Sequence, residues 1–270
     1  MTLFVSDLHL GRGTAAESAA AERDLLALLD AHADALHGGG ALWLVGDVFD
    51  QFMEYRHLVP KGFVRLQGRL AALADAGVPV TYVVGNRDLW HLDHVERELG
   101  LRLVRDGIAE GVEGHRAYIA HGDGHVPAER IYNRLRPLLR SPLMARLYRM
   151  GLPGDAGYGF ARWFAHRFGS GGVPEAPLVE ALRTRAARLV ADGRAELVVF
   201  GHVHSAACET VPGGAYLNPG YWFADRTFAC VDAAGATLCR WADGAAETLA
   251  TVALPLPASR AHVPPAPARA

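Results

Sequence analysis

Five short segments of the sequence carry side chains that can bind metal ions. They read DLH at residues 7–9, GDVFD at 46–50, GNRD at 85–88, HGD at 121–123 and GHVH at 201–204. Mixed imidazole and carboxylate ligands suit Mn, Fe or Zn better than Ca or Mg. A carboxylate can also bridge two ions, so these segments predict a site for transition-metal ions.

Each of the five segments directly follows an apolar run that predicts a β-strand. These runs are residues 3–6, 41–45, 78–84, 117–120 and 197–200. The helical spacing of apolar residues predicts helices over residues 17–36 and 63–76. This alternation predicts a layered α/β sheet in which loops at the strand ends form the active site.

Two further regions complete the predicted organisation. From residue 206 to about residue 252, apolar runs separated by glycine-containing turns predict antiparallel strands that form a second sheet. Residues 125–177 fit the alternation poorly and predict a helical insertion on the sheet scaffold. We therefore expect one domain over residues 1–254, followed by a disordered Pro/Ala-rich tail at 255–270.

Composition narrows the class of protein. The net charge of −2 lacks the basic excess that favours nucleic-acid binding, and the three cysteines form no C-x-x-C pair. The N-terminus has no basic region typical of a signal peptide, and no uncharged run reaches the roughly 18 residues that a membrane-spanning helix needs. We expect a cytoplasmic protein, with no nucleic acid and no protein partner implied.

The ordered set D-x-H, G-D-x-x-D, G-N-[HR]-D, H-G-D and G-H-x-H resembles the signature of the calcineurin-like metallophosphoesterases. The resemblance covers the chain from Asp7 to His204. It implies two packed mixed β-sheets flanked by helices, an αββα sandwich, and two divalent metal ions. The implied ligands are Asp7, His9 and His204 for one ion, Asn86, His121 and His202 for the other, and Asp47 as the bridge.

One position departs from the general family. Most members have histidine after the asparagine, whereas this chain has Arg87. GNRD, together with TLFVSDLHLG near the N-terminus, resembles the UDP-2,3-diacylglucosamine diphosphatases of lipid A synthesis. That resemblance implies manganese, cleavage of a pyrophosphate to UMP and 2,3-diacylglucosamine 1-phosphate, and a helical cap that receives the acyl chains.

Chemistry supports an arginine at this position. A sugar phosphate leaves without protonation, and a guanidinium offers bidentate contacts to phosphate oxygens. We therefore expect Arg87 to be catalytic. The resemblance further implies that Asp47 is catalytic and that water activated by the two ions attacks the phosphorus next to uridine. Asp50, Asp88 and Asp123 are candidates for orienting ligand imidazoles or Arg87, with turn formation as the alternative.

The predicted cap combines charge with large apolar side chains. Its arginines are Arg130, Arg134, Arg136, Arg140, Arg146 and Arg149. Such a segment can lie on an anionic membrane, form a slot for acyl chains, or pack as an ordinary helical hairpin. The alternatives for the whole chain are a phosphoesterase acting on soluble nucleotides and a metal-binding scaffold of the same fold. Peripheral contact with the inner membrane also stays open.

Overall fold

The computed structural model describes residues 1–168 and 175–254 of the chain. These residues form twelve strands: β1 (Thr2–Val5), β2 (Ala41–Val45), β3 (Val80–Val83), β4 (Arg102–Val104), β5 (Ile108–Val112), β6 (His115–Ile119), β7 (Leu197–Val199), β8 (Ala207–Val211), β9 (Gly214–Asn218), β10 (Thr227–Val231), β11 (Gly235–Ala242) and β12 (Ala245–Ala253). The predicted strands that precede the five polar segments are β1, β2, β3, β6 and β7.

Helices connect and cover these strands. Those in the described residues are α1 (Ala15–Ala31), α2 (Ala33–His37), α3 (Val64–Asp75), α4 (Arg130–Leu139), α5 (Pro142–Gly151), α6 (Gly154–Phe168), α7 (Glu175–Ala191) and α8 (Trp222–Asp225), with a π-helical turn at His94–Glu98. Within the described parts of the chain, no helix has the length and apolar character needed to cross a bilayer.

The strands form two mixed sheets. The first has the order β12-β11-β10-β1-β2-β3-β4, in which β1 to β4 run parallel and β10 to β12 pair antiparallel. The second has the order β5-β6-β7-β9-β8, with β6, β7 and β9 parallel. Parallel neighbours carry their carboxyl ends to the same edge, so the loops that follow them meet there.

Three apolar layers hold the two sheets and the helices together. Between the sheets, Phe4 and Val45 of the first pack with Ile119, Val199 and Leu217 of the second. Helices α1, α3 and α8 cover the outer face of the first sheet, and α7 covers the outer face of the second. The result is the αββα sandwich that the resemblance to the family implies.

The predicted helix over residues 17–36 is wrong in one respect, because the structure divides it into α1 and α2. A capping box between Thr14 and Glu17 starts α1. His32 ends it with a non-helical backbone (φ −104°, ψ 11°), and its Nδ1 donates to the carbonyl oxygen of Leu28 at 2.8 Å. The His32 ring packs against Phe228, so a tertiary contact accompanies the break.

The prediction that residues 206–252 form one second sheet is also wrong. Only β8 and β9 join the second sheet, whereas β10, β11 and β12 extend the first beside β1. The chain crosses over through Gly220, which has a φ of +86°, and α8. Trp222 anchors the crossing, because its fully buried indole donates from Nε1 to Ala21 of α1 at 3.0 Å. Hairpin patterning alone carries no information about which sheet a strand joins.

The predicted insertion at residues 125–177 contains α4, α5 and α6, which we call the cap. Pro142 at the start of α5 and the Ser141 side chain, which accepts from the backbone N–H of Met144, set the turn between α4 and α5. Helix α7 starts inside the predicted boundary but covers the second sheet. Residues 169–174 and the predicted tail at 255–270 lie outside the described residues.

Candidate metal centre

The five polar segments meet at one place, although they come from both sheets. Backbone hydrogen bonds join the first two, since the N–H of Asp7 donates to Gly46 at 3.2 Å and that of His9 donates to Asp47 at 2.9 Å. Five residues there adopt the left-handed region: Asp7, His9, Asp47, His202 and His204, with φ between 41° and 72°. This conformation is costly for residues with a Cβ and is typical of functional sites.

Two of the glycines permit the close approach of these loops. A Cβ at Gly46 would overlap the imidazole of His121, and a Cβ at Gly85 would overlap the carboxylate of Asp47. Gly46 follows β2 directly and Gly85 lies two residues after the end of β3, each immediately before a residue of the site. Glycine is therefore needed at these two positions, because the side chains of His121 and Asp47 occupy the space that a Cβ would fill.

One group of ligand atoms is formed by Asp7, His9 and His204. Nε2 of His9 lies 2.9 Å from Nε2 of His204, and Oδ1 of Asp7 lies 3.3 Å from the latter and 3.6 Å from the former. Asp7 and His9 are buried, and Oδ1 of Asp7 receives no hydrogen bond of good geometry within the described residues. Two imidazole nitrogens and a carboxylate oxygen that converge in this way fit a cation.

Asp47 lies between this group and a second one. Its Oδ2 is 3.6 Å from Nε2 of His9 and 3.6 Å from Nε2 of His121. Ligand atoms of Asp7, Asp47 and His121 all lie within 4.8 Å of one another. A carboxylate placed equally far from two imidazoles has the geometry needed to bridge two ions.

Asn86 links His121 to His202. Its Oδ1 lies 3.1 Å from Nε2 of His121 and 2.9 Å from Nδ1 of His202. Nδ1 of His121 donates to the carbonyl oxygen of Val45 at 2.9 Å, which leaves Nε2 to face the site. Each ring therefore presents one nitrogen to a common point and uses the other for support, as metal-binding histidines do.

The charges of the centre depend strongly on one another. Burial raises the pKa of Asp7, but the neighbouring His204 and His9 hold that pKa well below its ordinary value. Burial lowers the pKa of His121, but the carboxylates of Asp47 and Asp7 raise it to about 10. The carboxylates thus attract positive charge, and the arrangement favours either protonated imidazoles or bound cations.

Arg87 lies beside this cluster and at the wall of an apolar cavity. Its backbone N–H donates to Oδ1 of Asp47 at 2.8 Å. Its Nη1 is buried and has no hydrogen-bond partner among the described residues. A guanidinium nitrogen in this position can contact an anionic group held at the metal centre.

The structure gives the three other predicted aspartates different partners. Oδ1 of Asp50 lies 3.5 Å from Nδ1 of His9 and 3.1 Å from Nε of Arg12, so Asp50 contacts the imidazole of a predicted ligand. Asp88 instead accepts from the backbone N–H groups of Val48 and Gly85, at 2.8 and 2.7 Å, and from Tyr82 at 2.6 Å. Burial raises its pKa to about 6.

Asp123 contacts the cap. It accepts from Tyr132 at 2.7 Å and from Nε of Arg136 at 2.8 Å, both on α4, and from Nη2 of Arg140, directly after α4, at 2.9 Å. Burial raises its pKa, but Arg140 and His121 hold that pKa well below its ordinary value. Asp123 therefore joins the loop after β6 to the cap.

Sequence reasoning did not identify two residues that contact the predicted ligands. Glu129, at the start of the cap, lies 2.9 Å from Nε2 of His202. Tyr221 stacks on the His204 ring with 4.1 Å between centroids and accepts from Arg12 at 3.0 Å. Neither residue belongs to one of the polar segments after a strand, so no local pattern marks it.

Two cavities share part of their walls, and the first is also lined by the predicted ligand Asn86. The first has a volume of about 350 Å³, and its walls are mainly apolar side chains of the cap. It is lined by Asn86, Arg87, Trp90, Leu135, Leu138, Leu139, Met144, Tyr148 and Phe160, among others. The second, of about 450 Å³, shares Gln51 and Phe52 with the first and has more polar walls, which include Glu22, Lys61 and Arg162.

Solved structures with similar chain traces include two with different roles. YfcE, a phosphoesterase from E. coli, aligns with a TM-score of 0.48 and 18% identity over 94% of this chain and 99% of that chain. Vacuolar protein sorting 29 from Cryptosporidium parvum aligns with a TM-score of 0.44 and 13% identity over 93% of this chain and 97% of that chain.

Several curated relatives carry the name UDP-2,3-diacylglucosamine hydrolase. The one from Porphyromonas gingivalis (strain ATCC BAA-308 / W83) is 38% identical over 146 residues, or 54% of this chain and 55% of that protein. The match therefore spans about half the length of that relative. The one from Proteus mirabilis (strain HI4320) is 28% identical over 78% of this chain and 84% of that protein. A third, from Xanthomonas axonopodis pv. citri (strain 306), is 26% identical over 88% and 97%.

The family model for calcineurin-like phosphoesterases matches residues 1–206. This range contains all five polar segments, the cap and seven of the strands, up to the end of the GHVH segment. The sandwich fold and the clustered aspartates and histidines agree with that match. The chain is a metal-dependent phosphoesterase and belongs to the calcineurin-like phosphoesterase family.

Proposed function

We propose that this phosphoesterase hydrolyses the pyrophosphate bond of UDP-2,3-diacylglucosamine to UMP and 2,3-diacylglucosamine 1-phosphate. One observation carries the proposal: Arg87 and Asn86 line an apolar cavity whose other walls are mainly cap side chains. The anionic pyrophosphate of a lipid-linked nucleotide could thus lie beside Arg87 while its apolar acyl chains occupy the cavity. The names of the curated relatives support the same substrate.

Seven side chains would hold two divalent ions, for which we propose manganese. Asp7, His9 and His204 would hold one ion, Asn86, His121 and His202 the other, and Asp47 would bridge them. The converging nitrogens and oxygens described above support this division. When bound, such a pair of ions lowers the pKa of water and neutralises charge on a phosphoryl group.

Arg87 would contact the phosphate oxygens as charge develops during attack. Its buried Nη1 supports this role, because a hydrogen bond to phosphate would give it a partner. The leaving group is a phosphate and needs no proton, so a fixed cation serves better here than a histidine acid. Asp47 supports the position of Arg87, since it accepts from the backbone N–H of that residue.

The two halves of the substrate differ in polarity, and the two cavities differ in the same way. The acyl chains would occupy the first cavity, among Leu135, Leu139 and Met144. The uridine half would extend to the second cavity, where Lys61 and Arg162 supply donors for a polar ligand. The apolar walls favour a lipid substrate over a soluble nucleotide, which has no group to bury there.

The outer surface of the cap supports contact with a membrane. Ile131, Leu143, Leu147 and Met150 are 63%, 63%, 52% and 74% exposed, and arginines stand between them in the sequence. Exposed apolar groups flanked by cations suit the surface of an anionic bilayer. We propose that the cap rests on the membrane that holds the substrate.

A comparison of two substrates tests the function. Purified protein with Mn²⁺ is given UDP-2,3-diacylglucosamine in detergent micelles, or UDP-N-acetylglucosamine, which has the same nucleotide and no long chains. We expect UMP from the acylated substrate with a kcat/KM at least about 100-fold higher, since each buried methylene contributes about 0.8 kcal/mol. Equal turnover of the two would instead favour a phosphoesterase for soluble nucleotides.

A further inference from the structure

Glu129 is a cap residue that points into the metal centre. It precedes the first residue of α4 and is 5% exposed. Its two carboxylate oxygens lie 2.9 and 3.1 Å from Nε2 of His202. A buried carboxylate in direct contact with an imidazole nitrogen favours a hydrogen on that nitrogen, because a carboxylate accepts hydrogen bonds and donates none.

The contact sets which nitrogen of His202 carries the hydrogen. With Glu129 accepting from Nε2–H, the lone pair of the neutral ring is on Nδ1. Nδ1 faces the centre, 2.9 Å from Oδ1 of Asn86. Glu129 therefore selects the tautomer in which His202 can be a metal ligand, and it fixes the rotation of the ring.

The same face of α4 holds the loop that carries His121. Tyr132, Arg136 and Arg140 all bind Asp123, two residues after His121. Together with Glu129, these positions are spaced by three and four residues, which places them on one side of a helix. One side of α4 is thus occupied by contacts with two of the segments that form the metal centre.

We propose that Glu129 is a positioning residue for His202, and that the cap thereby completes one of the two metal positions. The affected position is the one assigned to Asn86, His121 and His202, so the inference rests on the ligand set proposed above. Docking of α4 and filling of this position are then coupled. By thermodynamic linkage, the docked cap raises metal affinity and the bound metal stabilises the docked cap.

Metal titration of the full chain tests the positioning role. Mn²⁺ binding is followed by electron paramagnetic resonance for wild type, Glu129→Ala, Glu129→Gln and the control Glu110→Gln, which removes a surface carboxylate paired with Arg102. We expect Glu129→Ala to lower the affinity for one of the two Mn²⁺ ions by about 10–100-fold and to leave the affinity for the other unchanged. Glu129→Gln should lower this affinity less, because the amide oxygen of glutamine still accepts a hydrogen bond from Nε2–H of His202. Equal affinities for both ions in wild type and Glu129→Ala would overturn the proposal.

Hydrogen exchange of α4 tests the coupling and separates it from simple loosening of the cap. Exchange in residues 130–139 should slow when Mn²⁺ is added to wild type, and this protection should be lost in Glu129→Ala. Arg140→Ala removes a contact between the end of α4 and Asp123 but keeps Glu129. If Glu129 positions His202, Arg140→Ala lowers the affinity for Mn²⁺ less than Glu129→Ala does. An equal decrease in Mn²⁺ affinity in both variants would show that Glu129 acts only by holding the cap in place, and would overturn the proposal.

A further variant separates this inference from the proposed function. His202→Ala should remove the same metal position that Glu129→Ala weakens. If His202→Ala binds both ions with wild-type affinity, the ligand set itself is wrong and the inference falls with it. The metal measurements use no substrate, so they hold or fail independently of whether the protein cleaves UDP-2,3-diacylglucosamine.

Discussion

At the scale of single residues, the centre is built from side chains whose neighbours restrict them on every side. His121 uses one nitrogen to bind Val45, His202 uses one to bind Glu129, and Asp47 contacts the backbone of Arg87. Residue types and their order predict that the five polar segments meet, because each follows an apolar run, and the resemblance to the family implies which of their side chains are ligands. Glu129 could not be predicted in this way, since its contact depends on how the cap folds back.

Metal binding should release protons at neutral pH. The carboxylates raise the pKa of His121 to about 10, so without metal the ring is protonated below that pH, whereas a metal ligand must be neutral. Because metal and proton compete, the apparent affinity for Mn²⁺ should rise as the pH increases from 6.5 to 8.5. Calorimetry in buffers with different protonation enthalpies measures the released protons. An affinity independent of pH over that range contradicts this prediction.

Replacement of Arg87 tests its proposed contact with phosphate. Arg87→Ala should lower kcat by roughly 10²–10³, as the loss of one preorganised donor does, while the protein still binds two metal ions. Arg87→Lys should recover part of the rate, because it restores the charge but not the bidentate geometry. Arg97→Ala is the control, since that side chain is 78% exposed. Near-normal turnover in Arg87→Ala would remove the proposed role.

At the scale of elements, parallel strands bring the loops together and the cap closes over them. The strands that carry the polar segments could be predicted because their apolar runs are short and uninterrupted. The sheet that each C-terminal strand joins could not be predicted, since β8 to β12 share one hairpin pattern and the crossover involves distant contacts such as that of Trp222 with α1. The break at His32 likewise accompanies a contact with Phe228, distant in the sequence.

Asp88 should be important for stability, because it joins the loops after β2 and β3. Asp88→Ala leaves the buried hydroxyl of Tyr82 and two backbone N–H groups without their acceptor. A buried unsatisfied donor costs about 1–3 kcal/mol, so we expect the free energy of unfolding to fall by at least about 2 kcal/mol. Urea denaturation measures the change. Asp93→Ala, at an exposed pair with Arg97, should change it by less than about 0.5 kcal/mol.

At the scale of the whole molecule, a rigid sandwich provides the catalytic edge and the cap adds the apolar surfaces. The helical nature of the insertion could be predicted from the order of elements, and the two-sheet architecture from the resemblance to the family. Composition gave no sign of a membrane surface, since the net charge is −2. The structure separates two sets of apolar cap residues that look alike in the sequence, those lining the cavity and those exposed outside.

A matched pair of cap variants distinguishes these two surfaces. Leu139 lines the cavity, whereas Leu147 is 52% exposed and is not part of its wall. In detergent micelles, Leu139→Glu should raise KM for the acylated substrate, and Leu147→Glu should leave it unchanged. In sedimentation with vesicles containing anionic lipid, Leu147→Glu should bind less than wild type. The opposite assignment of the two effects, or no effect of either change, contradicts the proposed surfaces.

The central claim is that the enzyme cleaves a lipid-linked nucleotide by attack on the phosphorus next to uridine. Mass spectrometry of the products formed from UDP-2,3-diacylglucosamine in ¹⁸O-water with Mn²⁺ tests it most directly. We predict that UMP carries the ¹⁸O label and that 2,3-diacylglucosamine 1-phosphate does not. Label in the sugar phosphate would contradict the site of attack, and absence of UMP while simple phosphodiesters are still hydrolysed would contradict the substrate.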